Sequence, residues 1–186
     1  MQNRENRCII KPYRKGGDRA MGKRSVRENK NIYQRSREER RLTREAAGEL
    51  MVHVSADRIE KIESGKAMPH PDEVLTMERC YQNPELCNYY CTHECPIGMK
   101  YVPEARLKEL PQVTVELISA LNALTGEKDR LIDIAVDGRV NDFERRDFDT
   151  ILDKLNAIDR SIQSMRIWIE HANHAGKMDE PGEGKK

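Results

Sequence analysis

The chain has 186 residues, 35% of them charged, 37% hydrophobic and only 5% aromatic, with a net charge of +1. That balance suits small, exposed helical units and argues against the large apolar core in which a deep substrate pocket is usually built. No apolar run approaches the ~18 residues of a membrane span and the N-terminus lacks the apolar core of a secretory signal, so the expected address is the cytoplasm, with no membrane partner.

The charge is unevenly spread. Residues 1 to 41 carry fourteen Lys/Arg against five Asp/Glu, a net of +9, which leaves −8 on the rest of a chain whose total is +1. A basic leading segment beside a folded unit commonly meets a polyanion, and DNA is the usual one. Residues 1–30, with Pro12, Gly16, Gly17 and Gly22 and no sustained apolar periodicity, read as a basic flexible arm.

Four short helices are expected next, over 32–40, 44–51, 56–63 and 71–81. Thr43 and Ser55 stand where helix N-caps belong, Pro71 opens a first turn, and Gly65 offers a left-handed stop. A fifth helix is expected over 84–91. Residues 83–110 form a cysteine-rich connector punctuated by Pro96 and Pro103. From Pro111 to Val136, Leu117, Leu121, Leu124, Leu131 and Ala135 recur in threes, fours and one step of seven that spans Lys128. A stricter alternation follows: Phe148, Ile151, Leu155, Ile158, Ile162, Met165 and Ile169 make an a/d seam. The expected fold is thus all-α, with short helices up to residue 82 and a long antiparallel helical hairpin over 111–175, followed by a polar tail, 176–186. Two helices leave part of each stripe wet, so the seam calls for cover, and a second copy of the chain making a homodimer is the expected source.

Between residues 31 and 82 the stretch RSREERRLTREAAGELMVHVSADRIEKIESGKAMPHPDEVLTMERCY resembles the helix-turn-helix domain of the XRE family, the repressor-like module of many bacterial and phage regulators. The resemblance is carried by Leu42-Thr43, Glu45, Ala47, Val54-Ser55, Ile59, Ile62-Glu63, Ser64-Gly65-Lys66 and the capped fourth helix near residues 69–72. It implies a sequence-specific transcriptional regulator that binds double-stranded DNA. The third helix would enter the major groove with Ser55, Ala56, Asp57 and Arg58 nearest the bases, and Arg44, Lys61 and Lys66 near phosphates. The chain departs from the family pattern in its longer, glycine-free MVHVS turn, in Gly48 within the second helix, and in the negative charges of Asp57 and Glu60. The alternative is a repressor-like fold kept as a protein-docking adaptor.

CNYYCTHECPIG, residues 87–98, gathers Cys87, Cys91 and Cys95, with His93 or Cys80 available as a fourth ligand. Three thiolates and one more soft donor match structural zinc and, less closely, an iron-sulfur cluster; a redox- or metal-responsive regulator would use them as its sensor. Against this, helix-face cysteines also serve as small core residues. DIAVDGRVNDFE, residues 133–144, sets Asp133, Asp137, Gly138, Val140 and Glu144 at calcium-loop positions but has Ala135 at a ligand position, and so reads as an inter-helix turn. His171 and His174 suit the dipole of a last helical turn. No phosphate-binding glycine loop, nucleophile elbow or paired metal-binding histidines occur, so neither an enzyme nor a small-molecule substrate is expected.

Overall fold

The computed structural model describes residues 29–136 and 138–177. The basic arm up to residue 28, Asp137 of the acidic turn and residues 178–186 of the polar tail lie outside the described residues. Those described are all-α, with nine helices and no strand, and none of the helices is long and apolar enough to cross a membrane. The chain divides into two compact units, one ending at Pro69 and the other beginning at His70.

The first unit holds α1 (Ile32–Glu39), α2 (Arg44–Leu50) and α3 (Ala56–Glu63). Each starts on a side chain that satisfies an otherwise orphaned amide. Asn31 accepts from the amide of Gln34, Thr43 from that of Ala46 at 3.1 Å, and Ser55 from that of Arg58 at 3.3 Å. Tyr33, Ala47, Met51, Val54, Ile59 and Ile62 are buried. The MVHVS turn works without glycine because Met51 and Val54 anchor its two ends in the interior while Val52 and His53 point to solvent. Gly48 owes its place to a close approach: a β-carbon there would lie 3.1 Å from the amide nitrogen of Ala56, where the start of α3 crosses α2.

One carboxylate ties the three helices together. Glu63, at the end of α3 and with a fully buried side chain, accepts from Nε and Nη2 of Arg37 on α1, the latter at 2.9 Å, and from Nε of Arg44 on α2 at 2.8 Å. Arg37 also donates through Nη1 to the carbonyl of Leu42, at the entry to α2.

The second unit comprises α4 (Pro71–Tyr81), α5 (Glu85–His93), α6 (Pro96–Tyr101), α7 (Leu110–Thr125), α8 (Lys128–Ala135) and α9 (Arg145–His174). The helix over 71–81 is where its sequence signals put it, with His70 and Glu73 closing a capping box, but it packs with α5 and belongs to the second unit. The connector expected over 83–110 is more regular than its prolines suggest. α6 crosses α5 so closely that a β-carbon on Gly98 would overlap the backbone of Cys91, 2.7 Å from its carbonyl carbon and nearer still to the oxygen. The extended stretch 102–109 is then strapped back onto α5. Asn88 donates to the carbonyl of Pro103 at 3.0 Å and accepts from the amide of Ala105 at 2.9 Å, and Glu85 accepts from the amide of Leu107 at 2.7 Å.

The rod expected over 111–136 is broken into α7 and α8 at Gly126-Glu127, within the seven-residue apolar step. Both halves pack on α9. Glu127 pairs with Lys154 and Arg130 with Asp147, so the partners descend α9 as the chain ascends α8, which is antiparallel. The buried face of α9 is Ile151, Ser161, Ser164, Ile167 and Ala172, so of the a/d seam Ile151 alone is buried, while Leu155 and Ile162 remain 39% and 38% exposed. A helix of 3.6 residues per turn drifts about 20° per heptad from a 3.5-residue repeat, so the seam turns away from α7 along the rod.

Two stability tests follow from these crossings. Glu63→Ala leaves Arg37 and Arg44 without their buried counter-charge and is expected to cost about 3 to 5 kcal/mol in urea unfolding. Gly98→Ala is expected to cost at least about 1 to 3 kcal/mol by forcing α6 off α5, with loss of cooperativity in the same titration.

Candidate functional site

α3 is a two-sided element. Ile59 and Ile62, three apart, are fully buried, whereas Ser55, Asp57, Glu60 and Lys61 are exposed on the surface the helix leaves to solvent. Of the residues assigned to DNA, the structure brings Ser55, Ala56, Asp57, Arg58 and Lys61 onto this one helix, with Lys66 in the turn that follows. Ser55 has a local task as well, since its hydroxyl is the N-cap. Ala56 is half-buried and offers only a methyl group. Asp57, in the first turn, complements the helix dipole.

The cations are less available than their spacing suggests. Arg58 donates through Nη2 to the carbonyl of Met68 at 2.8 Å, so its guanidinium is tied to the loop after α3. Arg44 is held through Nε by Glu63. Lys66 lies 3.8 Å from Glu60 in an exposed pair worth little in water, and Lys61 makes no ion pair among the described residues. A duplex that engages Arg58 must therefore replace the Met68 carbonyl with a stronger acceptor, which a phosphate or a guanine edge supplies. Arg35, Arg40 and Arg41, which the motif did not single out, are also exposed in the first unit. Their signal was the charge asymmetry rather than any motif.

Among the described residues no three cysteine, histidine, aspartate or glutamate side chains are grouped as a metal ion requires. Of the set expected to hold zinc or an iron-sulfur cluster, Cys87, Cys91, Cys95 and His93 with Cys80 in reserve, Cys95 and His93 have local partners. Cys95 is the N-cap of α6, its sulfur accepting from the amide of Gly98 at 3.4 Å. His93 stacks on Tyr89 with ring centroids 4.4 Å apart, and its Nδ1 lies 2.8 Å from the Thr92 hydroxyl. Burial pushes the Cys87 thiol up to about 12, with the Glu78 carboxylate and Cys91 adding to the shift. Burial raises Cys91 as well, with Cys95 contributing. A reactive sulfur is a stabilised thiolate, and without a metal this environment favours the thiol. In the acidic turn, Asn141 accepts from the amides of Phe143 and Glu144, leading into α9. Asp137 of that candidate calcium set lies outside the described residues.

No family model matches the chain, and neither a curated protein nor a solved structure matches it. The arrangement of α3 and its neighbours therefore carries the functional reading by itself.

The thiol environment has a measurable consequence. The raised Cys87 value favours the neutral form in the folded chain, so its contribution to stability is full below the unfolded value near about 8.5 and is lost as pH climbs toward about 12. Alkylation mapped by mass spectrometry at about pH 8 is expected to label Cys87 much more slowly in the folded protein than in urea, and Cys87→Ser is expected to flatten the alkaline fall in melting temperature.

Proposed function

We propose that the protein is a sequence-specific DNA-binding transcriptional regulator of the XRE helix-turn-helix type, with α3 as the reading helix. The observation that supports this most is the division of α3 into a fully buried isoleucine side and a polar, solvent-facing side that starts at a capped N-terminus. A reading helix needs a rigid back and an accessible first turn. The capped starts at Thr43 and Ser55 and the buried Glu63 make the first unit stiff enough to present that turn without reorganising. Ser55, Asp57 and Arg58 face base edges in this reading, with Lys61, Lys66 and the remaining donors of Arg44 at phosphates.

A homodimer completes the proposal. Ile118 and Leu121 on α7 are 52% and 46% exposed, and with Leu155 and Ile162 on α9 they form an apolar flank of the hairpin. Two such flanks stacked on each other make a four-helix bundle and supply the two-fold axis that paired half-sites require. A second reading, a protein-docking adaptor on a repressor-like fold, draws on the tie of Arg58 to Met68, which withholds the strongest base-reading group.

Anisotropy titrations against a duplex selected from a random pool separate the two readings. For the regulator, log affinity falls linearly with log salt. Lys61→Ala is expected to weaken all sequences alike and reduce the salt slope by about one, while Arg58→Ala narrows the gap between selected and random duplexes by about 1 to 3 kcal/mol. Binding with no salt dependence, or no binding, favours the adaptor.

A further inference from the structure

The hairpin has a second flank, opposite the apolar one. At 100° per residue, Ser119 and Ala123 lie on the far side of α7 from Ile118 and Leu121. There α7, α9 and the strapped segment 104–108 enclose a groove of about 850 Å³. Its floor is apolar and shallow-walled, because Val115, Ala120 and Ala123 face Ala157 across it, and short side chains leave the space unfilled.

Two polar groups give this groove a direction. Ser164 lines it and is 3% exposed, yet its hydroxyl has no hydrogen-bond partner among the described residues. The groove it lines is where that hydroxyl can meet water or a ligand. Beside it on α9, Arg160 lines the same wall and makes no ion pair among the described residues. The other charges at the rim are already matched, Lys108 to Glu116 at 2.7 Å and Arg106 to Glu104 at 3.2 Å. The unmatched charge at this rim is therefore positive, and it adjoins a hydroxyl without a protein partner among the described residues.

We infer that this groove is a binding site for a small amphipathic organic anion, an acidic head group carried on an apolar body. The head takes the guanidinium of Arg160, which presents two parallel N–H donors to an oxyanion, together with the Ser164 hydroxyl. The body covers the alanine floor. The volume falls within the range of small-molecule sites. A free inorganic anion satisfies only the head, and a neutral hydrocarbon only the floor; neither matches the whole. The inference uses residues of the second unit alone and stands whether or not α3 binds DNA.

The probe is 1-anilinonaphthalene-8-sulfonate with the full chain, followed by fluorescence and calorimetry. Saturable binding at one site per chain is expected, displaced by octanoate but not by inorganic phosphate at equal concentration. Arg160→Gln is expected to weaken the probe about tenfold, and Ala157→Leu, which fills the floor, to abolish the site. Ile118→Ser, on the opposite flank, is expected to leave it unchanged. Circular dichroism melts confirm that each variant is folded; should Ala157→Leu fail to fold, Ala123→Val reads the floor in its place. Absence of a saturable site, equal displacement by phosphate, or binding lost in Ile118→Ser and kept in Arg160→Gln overturns the assignment.

Discussion

A single buried carboxylate organises the first unit. Glu63 ends α3, and the two arginines that neutralise it come from α1 and α2, so the charge can be satisfied only when all three helices are in register. A buried ion pair is a poor source of net stability, because desolvating the partners offsets most of their attraction. Its leverage lies in what it forbids. A slipped or rotated α3 would strand a carboxylate in the interior next to Ile59 and Ile62, which costs far more than a displaced isoleucine. The same constraint withdraws Nε of Arg44 from solvent and leaves Lys61 as the cation on α3 without an ion pair among the described residues. The electrostatics of the exposed surface are thus partly decided by the needs of the interior.

In the second unit the limiting quantity is distance between backbones. Where α6 crosses α5, Gly98 sits on Cys91; where α7 meets α9, the buried positions include Ser161, Ser164 and Ala172. Cysteine belongs to this group by size, and a sulfur in that setting is held as a thiol by burial. Asn88 solves a related problem, since its amide pairs both a carbonyl and an N–H of the strap as a neighbouring strand would. The segment that carries the cysteines also brings two helices and a strap close together.

The helices of the first unit were legible because their signals are local. Caps at Thr43 and Ser55 act within one turn, and the observed bounds differ from the expected ones by at most one residue. Glu63 was visible too, as an acid beside Ile62 on an otherwise apolar face, but its partners lie 26 and 19 residues away and no spacing rule connects them. For the cysteines, spacing along a helix says which side chains share a face, not whether their sulfurs converge or stay protonated. The break at Gly126-Glu127 was marked by the seven-residue step, and a heptad reading passes over it because seven preserves the phase.

α9 shows how one helix comes to have two flanks of different character. Its apolar residues keep a 3.5-residue repeat while its backbone turns at 3.6, so a stripe that is buried at Ile151 cannot stay buried along the rod unless the helix supercoils around something with the same repeat. Within one hairpin the burden of packing passes instead to Ser161 and Ser164. Their small size brings α9 close on one side, leaves a groove lined by alanines, and frees Leu155 and Ile162 on the other. A second copy stacked on the apolar flank would supply the missing matched repeat, and it would do so without closing the groove, which lies on the opposite flank. Dimerisation and anion binding are therefore compatible by geometry.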